Sequence, residues 1–528
     1  MTVGLGNGLM VAGGGPVQSR RSAQGERWVF VGFLVYLVSG GLAIAPSGKI
    51  YLAGSCALIL AFALWYANRG DDIGYAKVAL AVAFTASQNA AYFFVLLTAV
   101  LYRNRAILVP VRSLRPIYLL VLYGLASYLV NQFVEPNLLS FPFFMLSFFL
   151  PVVCFGVFRL EQVVAARDEV LGFFQLLLIA VAVVMAVQSV LHWGESPDWR
   201  TGGTWHAHMA GILVGTGFLT ALGRRAMLGA AGICPRERFM LYAGMPLLFL
   251  ADAKYILVIL VASVIGTGMV WLLRSRLRLI PIALSAGLLV LVVASWQRVL
   301  QTPVILSTAG VGEAVTSVEA LFQGFWLTPR GQVLDATLSL PQTEPRVFLL
   351  GSGPGTFLSR AANSRAYDTM QKGVYDQLGG ELEVTSKLPK WIPPFTSWIT
   401  RKYALDVIHW STFEEQSWQS GLVRWVSSLN SFFWEFGLVG FLMLMFFYAR
   451  LFVAGILGAR GQPPAWAGFA LACFVPFVVG IAYFDLWLET PQFAILHWAM
   501  LGLLSAGMVV KRPAPSPNQV MDSRFSHD

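Results

Sequence analysis

The feature that most constrains the fold is a series of long apolar runs without charges. Three of them read IYLAGSCALILAFALWYA, VLGFFQLLLIAVAVVMAVQSVL and LIPIALSAGLLVLVVASW. Each is about as long as a helix that crosses a bilayer, roughly 17–25 residues. Of the 528 residues, 57% are hydrophobic and 12% are charged, whereas soluble chains are about 25% charged. The sequence therefore predicts a membrane protein.

The runs are too long for barrel strands, and alternating strand-length segments are absent. We therefore predict an all-α polytopic membrane protein with about 12–13 transmembrane helices. Candidate spans lie near residues 28–46, 50–67, 77–102, 116–134, 138–158, 170–191, 208–222, 239–251, 255–273, 279–297, 432–453, 464–484 and 491–510.

The net charge of +10 comes from short basic clusters between the apolar runs. Such clusters mark the cytoplasmic ends of helices, so the charge does not indicate nucleic acid. The clusters at 224–238 and 274–278 predict that 192–207, the turn at 251–255 and the long segment from 298 to 430 lie outside. The side of the N-terminus stays open, because span counting favours the outside and the basic residues of the lead (Arg20, Arg21 and Arg27) favour the inside.

This topology gives five predicted regions along the chain. They are a disordered lead (1–27), a first transmembrane part (28–297), a large periplasmic loop (298–430), the last three helices (431–510) and a cytoplasmic tail (511–528). The large loop separates the last three spans from the rest. Long ordered loops usually carry function, so we expect short helices that pack over the membrane domain.

Within this loop, RVFLLGSGPGTFLSR at 346–360 places glycines at 351, 353 and 355. A Walker loop ends in Gly-Lys-Ser/Thr and a dinucleotide loop has G-x-G-x-x-G, so the alternating glycines do not predict nucleotide binding. Two interpretations remain. Gly351, Gly353 and Gly355 shape a tight turn that docks the loop, or they bring backbone close to a ligand.

Cationic residues at the predicted outer face are candidates for binding an anion. Lys254, two residues after its possible partner Asp252, either extends to the interface or holds a lipid-linked phosphate. Arg200 precedes Gly202 and Gly203 and is either an anion contact or a solvated side chain. His206 and His208 do not share a helical face, and the four cysteines show no metal or disulfide spacing, so we predict no metal.

Further candidates lie in the large loop and just after it. Arg330 and Arg346 carry a planar fork suited to phosphate oxygens. The segment 401–425 contains His409, Glu414 and Glu415, which are either general-base candidates or charges on an exposed amphipathic helix. Glu435 comes early in a predicted span, where an acid is costly unless it faces protein or water.

Taken together, these stretches resemble the O-antigen ligase and O-antigen polymerase family of bacterial envelope enzymes. WRTGGTWHAHMAG resembles the family's R-x-x-G-t-f stretch, and FLADAKYI resembles its T-x-S-R turn with Lys254 in place of the arginine. Arg330 and then RVFLLGSGPGTF resemble the family's arginine and P-l-l-G-x-G-x-g-x-F segment. FFWEFGLVGF resembles E-x-G-l-x-G. The resemblance covers about residues 170–500.

The resemblance implies a GT-C-like, metal-independent, inverting glycosyltransferase of the bacterial inner membrane, with its active site facing the periplasm and no cofactor. Its donor would be a glycan on undecaprenyl diphosphate, and its other partners a glycan acceptor, the bilayer and chain-length regulators or other envelope assembly proteins. Fixed cations would stabilise the diphosphate leaving group. The diphosphate would then be bound by Lys254, Arg330, Arg200 and Arg346. If the reaction needs a general base, His409, Glu414 or Glu415 would have to supply it.

One departure from the family pattern separates the competing functions. Ligases carry a His-Asn pair before the E-x-G-l-x-G element, whereas this chain has Val426 and Ser427 there, with Asn430 closer to the span. This favours a polymerase of repeat units, in lipopolysaccharide or exopolysaccharide biosynthesis, over a ligase that transfers the glycan to lipid A core or another acceptor. A lipid-linked oligosaccharide flippase or other transporter, and a sensor or scaffold, are alternatives from other classes.

Overall fold

The described part of the chain is helical. The computed structural model describes residues 16–39, 48–85, 91–103, 114–191, 207–228, 233–250, 329–359, 362, 395–405, 427–458, 488 and 490–506. No strand occurs among these residues. For this part of the chain, the predicted all-α class is confirmed.

The helices fall into a long N-terminal series and a shorter C-terminal one. The first series is α1 (Pro16–Ser39), α2 (Gly48–Arg69), α3 (Asp72–Val82), α4 (Ala91–Arg103), α5 (Arg115–Asn131), α6 (Ser140–Phe144), α7 (Val153–Val157), α8 (Glu161–Ala165), α9 (Arg167–Leu191), α10 (Ala207–Leu228) and α11 (Pro235–Leu250). The second series is α12 (Pro329–Thr343), α13 (Pro345–Leu350), α14 (Trp398–Thr400), α15 (Ser428–Gly458) and α16 (Pro491–Ala506).

Four segments in the described residues are long and apolar enough to cross a membrane. They are Ile50–Arg69, Ser140–Val157, Arg167–Leu191 and Ser428–Arg450. Trp28–Ser39 and Gln492–Leu503 are shorter apolar helices. The predicted spans 255–273, 279–297 and 464–484 lie outside the described residues, so the total of 12–13 stays a prediction.

The predicted span 77–102 is wrong as a single helix. Helix α3 ends at Val82 and α4 begins at Ala91. Residues 83–85, which follow α3, are no longer helical. The buried amide of Gln492 donates to the carbonyl and the hydroxyl of Thr85, at 3.3 and 3.1 Å. This contact from α16 satisfies polar groups that the end of a helix leaves unpaired.

The predicted span 138–158 is one apolar segment with an irregular backbone. Between α6 and α7 it passes through a π turn, Met145–Phe149, and a 3-10 turn, Leu150–Val152. Pro151 in the second turn has no backbone N–H to donate, which disfavours a continuous α-helix.

Helix α1 begins at Pro16, within the segment 1–27 that the sequence predicts to be a disordered lead. Proline is favoured at a first helical position, where its missing N–H costs nothing.

Helix α15 packs against helices of both series. Helices α5 and α13 both pack on α15, while α16 packs on α3 and α7. The large core contains Phe436 and Phe432, whose rings stack with centroids 4.3 Å apart. A second, smaller core joins α12 and α13 to Trp434 on α15. The described helices of the predicted large loop therefore sit directly on a membrane-length helix.

Candidate functional site

The glycine stretch is an ordered loop that begins where α13 ends. Gly351, Gly353 and Gly355 have positive φ angles of 81°, 99° and 72°. Gly351 combines its φ with a ψ of 166°, a region that is essentially restricted to glycine. All three residues are buried. The backbone path of this loop therefore requires glycine.

The same loop encloses the carboxylate of Glu435, which is completely buried. The backbone N–H of Gly355 donates to Oε2 at 2.9 Å, and the N–H of Phe357 donates to Oε1 at 3.0 Å. A buried carboxylate is stabilised by such N–H donors, which satisfy it in place of water.

Backbone hydrogen bonds continue the contact between the loop and α15. The N–H of Gly353 donates to the backbone carbonyl of Glu435 at 3.0 Å, and the N–H of Ser352 donates to the carbonyl of Trp434 at 2.9 Å. The Ser352 hydroxyl donates to the same Trp434 carbonyl at 3.0 Å. The loop is therefore joined to α15 through both its backbone and its side chains.

A break in α15 lets the two backbones approach closely. Gly437, two residues after Glu435, has φ 64° and ψ −172°, which are not helical values. A Cβ atom on Gly437 would lie 2.5 Å from the nitrogen of Gly351 and from the carbonyl oxygen of Leu349. A Cβ atom on Gly351 would in turn overlap the Glu435 carbonyl. The two glycines are therefore needed by the same backbone contact.

Aromatic packing fixes the loop from its other end. The rings of Phe357 and Trp434 stack with centroids 4.0 Å apart and planes 14° from parallel. The Ser431 hydroxyl donates to the Phe357 carbonyl at 2.9 Å. The indole N–H of Trp434 donates to the Thr337 hydroxyl on α12 at 2.7 Å. Helix α12, the glycine loop and α15 thus form one packed unit.

These contacts decide what the glycine loop can do chemically. The N–H groups of Gly355 and Phe357 point at an anion, but that anion is the chain's own Glu435. In this structure the loop therefore binds a side chain of α15 rather than presenting these donors to a ligand. In the described residues the loop thus docks on α15, while the second interpretation, backbone brought close to a ligand, stays a prediction.

Next to the loop lies a narrow cleft, here called the polar cleft, with about 330 Å³ of empty volume that includes space open to solvent. Its lining comes from three separate stretches, within residues 128–140, 352–356 and 397–399. Amide, hydroxyl and aromatic side chains dominate it, among them Asn131, Gln132 and Trp398. The cleft thus joins the end of α5, the glycine loop and the segment around α14.

That segment, residues 395–405, is here called the strap, and two carboxylates hold it. The backbone N–H of Trp398 donates to both oxygens of Glu135, at 3.1 and 3.0 Å. Arg401 forms an ion pair with the same carboxylate at 3.4 Å. On the other side, the Lys402 ammonium lies 2.8 Å from Glu344. This hydrogen bond to Glu344 raises the pKa of Lys402 above its ordinary value.

Of the predicted anion-binding residues, Arg346 is the one whose side chain the structure describes. It is exposed, and its guanidinium donates to the Asn131 amide oxygen at 3.2 Å. Arg346 therefore lies at the edge of the polar cleft. The backbone of Arg330 lies in the first turn of α12.

The other predicted site residues fall outside the described part of the chain. These are Lys254, Arg200, His409, Glu414 and Glu415. Their roles stay predictions.

Several residues that build this site were not found from the sequence. Glu135 and Asn131 lie just after and at the end of α5, and Arg401 lies in the strap. Their partners lie more than 200 positions away along the chain, so the pairing leaves no local pattern. One signal was available for Glu135, because an acid directly after an apolar run calls for a partner.

Metal binding finds no support in the described residues. Among them, no group of three His, Cys, Asp or Glu side chains could hold a metal ion. The Glu435 carboxylate, which is the most deeply buried acid of this site, is held by backbone N–H donors.

Comparison with known proteins gives no family assignment. No protein-family model matches the chain, and no curated protein matches it significantly.

Proposed function

We propose that this protein is a membrane glycosyltransferase that polymerises oligosaccharide repeat units carried on a polyprenyl diphosphate. The reaction takes place at the periplasmic face of the bacterial inner membrane. In this proposal, the cations Lys254, Arg330, Arg200 and Arg346 bind the diphosphate, and one of His409, Glu414 and Glu415 acts as the general base.

The observation that best supports the proposal is the contact between Glu435 and the glycine loop. GSGPGTF and WEFG are two of the stretches in which the sequence resembles the O-antigen enzymes, and they lie far apart along the chain. Glu435 of the second stretch accepts hydrogen bonds from Gly355 and Phe357 of the first. Two stretches singled out for one resemblance thus form one structural unit, and Arg346 lies beside it.

The proposed reaction needs no redox step and no metal. An acceptor hydroxyl attacks the anomeric carbon of the donor glycan, and a new glycosidic C–O bond forms. The C–O bond to the diphosphate breaks, so polyprenyl diphosphate leaves with the electron pair. The hydroxyl proton passes to the general base. Fixed cations stabilise the charge that grows on the leaving diphosphate.

Transfer of a finished glycan to lipid A core or another acceptor, the ligase reaction, is the runner-up. It uses the same donor and the same leaving group, so the described residues fit both reactions. The absence of the His-Asn pair before Glu435 favours the polymerase.

A transporter of lipid-linked oligosaccharides is a second candidate, and broken helices favour it. Interrupted helices near mid-membrane are typical of transporters. Here Gly437 interrupts α15, and the segment between α6 and α7 leaves the α-helical path. The break at Gly437, however, fits against the glycine loop, so a packing contact accounts for it without a transport path.

The proposal is tested in cells in which Lys254→Ala or Arg330→Ala replaces the parent protein at equal membrane abundance. The glycan that these cells make is then analysed. Gel electrophoresis of lipid-linked and surface polysaccharide separates the outcomes. Loss of long chains, with single repeat units still reaching the surface, is the result expected for a polymerase. Long chains stranded on the lipid carrier would indicate a ligase.

A matched control is Arg69→Ala, which changes an arginine on α2, far from the proposed site in sequence. Arg69 packs over the Trp65 ring, 4.6 Å from its centroid. We expect an unchanged glycan in this variant. Unchanged glycan in both test variants would reject the phosphate-binding roles and favour the transporter or a scaffold.

A further inference from the structure

The polar cleft has the chemistry of a site for a neutral ligand. Its described lining includes one charged side chain, Glu135. That carboxylate is already paired with Arg401 and with the Trp398 backbone N–H. Because the one charged lining residue is already paired, neither an anion nor a cation gains a strong partner among the lining residues, although the exposed cation Arg346 lies at the edge of the cleft.

The cleft also carries hydrogen-bond acceptors that are held in place. The Asn131 amide oxygen accepts from Arg346, while its amide nitrogen donates to the Ser127 carbonyl at 2.8 Å. The Gln132 amide oxygen accepts from the Asn137 N–H at 2.6 Å. An amide oxygen has two lone pairs, so both oxygens retain capacity for a ligand hydroxyl. Side chains that are already ordered lose little entropy on binding.

An aromatic side chain completes the set of groups, that of Trp398, whose ring centroid lies 6.0 Å from the Lys402 ammonium. Trp398 lines the cleft and is partly exposed. Its backbone is held by Glu135, and Tyr128 lines the cleft from α5. Aromatic rings offer a flat apolar surface next to polar groups. Flat apolar faces combined with planar amide groups suit a sugar ring, which presents C–H groups on its faces and hydroxyls on its edge.

Exposed apolar side chains in the loop beside the cleft indicate that this loop lies at the bilayer surface. Phe133 and Leu138, which follow α5, are 93% and 78% exposed. Large apolar side chains with such exposure are favourable where the surroundings are lipid rather than water. A ligand in the cleft would therefore lie close to the headgroup region, where the sugar of a lipid-linked glycan is found.

We propose that the polar cleft is a saccharide-binding subsite, with the Trp398 indole as its stacking face and the amide oxygens of Asn131 and Gln132 as acceptors for sugar hydroxyls. The enclosed part of the cleft has room for roughly one water molecule, so the sugar lies across the mouth of the cleft. The proposal deepens the proposed function and rests on it for the source of the sugar. In this proposal the polar cleft binds the glycan of the lipid-linked substrate and not its diphosphate.

The experiment measures binding of a neutral oligosaccharide to the purified full chain in lipid nanodiscs. The probe is the repeat-unit oligosaccharide released from the host's own surface polysaccharide, without lipid or diphosphate, and saturation-transfer NMR detects it. We expect the parent and Trp398→Phe to bind it. We expect Trp398→Leu, which keeps an apolar side chain but loses the flat face, to bind roughly tenfold more weakly.

Trp398 also packs against the smaller core, and the leucine and phenylalanine variants control for this. If Trp398 had a purely structural role, each variant would lose binding affinity in proportion to its loss of thermal stability, whatever the shape of the new side chain. If Trp398→Leu fails to fold, Gln132→Met takes its place, because it removes one acceptor and keeps the length of the side chain. It too is expected to weaken binding.

Three results would overturn the proposal. The first is absence of binding to the parent, and the second is equal binding to the parent, Trp398→Leu and Gln132→Met. The third is displacement of the oligosaccharide by inorganic pyrophosphate, which would identify an anion site. The cellular glycan assay separates the two proposals. Loss of long chains in Lys254→Ala together with unaltered binding in Trp398→Leu rejects only the subsite. Trp398-dependent binding with unchanged glycan rejects only the polymerase.

Discussion

The Oε2 atom of Glu435 accepts a hydrogen bond of 2.9 Å from the backbone N–H of Gly355. This bond joins a loop between predicted spans to a helix that is long and apolar enough to cross a membrane. Because Glu435 is completely buried, no water can replace these donors at its carboxylate. The carboxylate therefore acts as the anchor of the loop.

The first prediction concerns this anchor. Glu435→Gln places an amide NH₂ group against a backbone N–H, so one donor loses its partner. We expect the free energy of unfolding to fall by about 1–3 kcal/mol, the usual cost of a buried donor without an acceptor. Thermal unfolding of the purified chain in detergent measures this loss.

The control for this prediction is Glu169→Gln, which also removes one negative charge. Glu169 pairs with Lys77, and its side chain is 59% exposed. An exposed pair contributes about 0–1 kcal/mol, so we expect a small effect. Equal losses of stability in both variants would argue against the role of Glu435 as an anchor.

The sequence predicted the chemistry of this contact only in part. An acid in a predicted span requires a partner, and alternating glycines require an unusual backbone, so Glu435 and the three glycines were found separately. Their pairing was not, because nothing local links residue 435 to residues 353–357. The break of α15 at Gly437 was missed for the same reason, since a single glycine in an apolar run is compatible with a continuous helix.

Helix existence was easier to predict than helix continuity. Apolar length alone identified α2 and α9 with nearly correct bounds. It failed at residues 77–102, where α3 ends at Val82 and Gln492 of α16 donates a hydrogen bond to Thr85 just beyond that end. Apolar length also gives no information on the ion pair between Glu135 and Arg401. That pair depends on how the strap folds back onto the end of α5.

The second prediction concerns the backbone contact between Gly351 and Gly437. Alanine at either position would meet backbone atoms and take up a conformation that is essentially restricted to glycine. We expect the free energy of unfolding of each variant to fall by about 1–3 kcal/mol. Gly32→Ala is the control, because a Cβ atom there meets nothing within 4 Å. If Gly351→Ala, Gly437→Ala and the control Gly32→Ala unfolded at the same temperature, the close contact between Gly351 and Gly437 would be contradicted.

The third prediction concerns the strap. Glu135→Ala removes the acceptor of the Trp398 N–H and the partner of Arg401. We therefore expect faster hydrogen exchange of the backbone amides near residues 397–401, measured by mass spectrometry. Glu344→Gln removes the charge that pairs with Lys402 but leaves the Trp398 N–H bonded to Glu135, so it should have a smaller effect. Exchange at the parent's rate in Glu135→Ala would show that the strap does not depend on this carboxylate.

The fourth prediction concerns the bond between α12 and α15. Trp434 is completely buried, and its indole N–H donates to the Thr337 hydroxyl at 2.7 Å. Thr337→Val keeps the shape of the side chain but removes the acceptor, so a buried donor is left unpaired. We expect a loss of about 1–3 kcal/mol in thermal unfolding. Thr337→Ser keeps the hydroxyl and removes only one methyl group, so it should retain most of the parent's stability. If serine destabilised the chain as much as valine, packing of the threonine methyl rather than this hydrogen bond would hold α12 on α15.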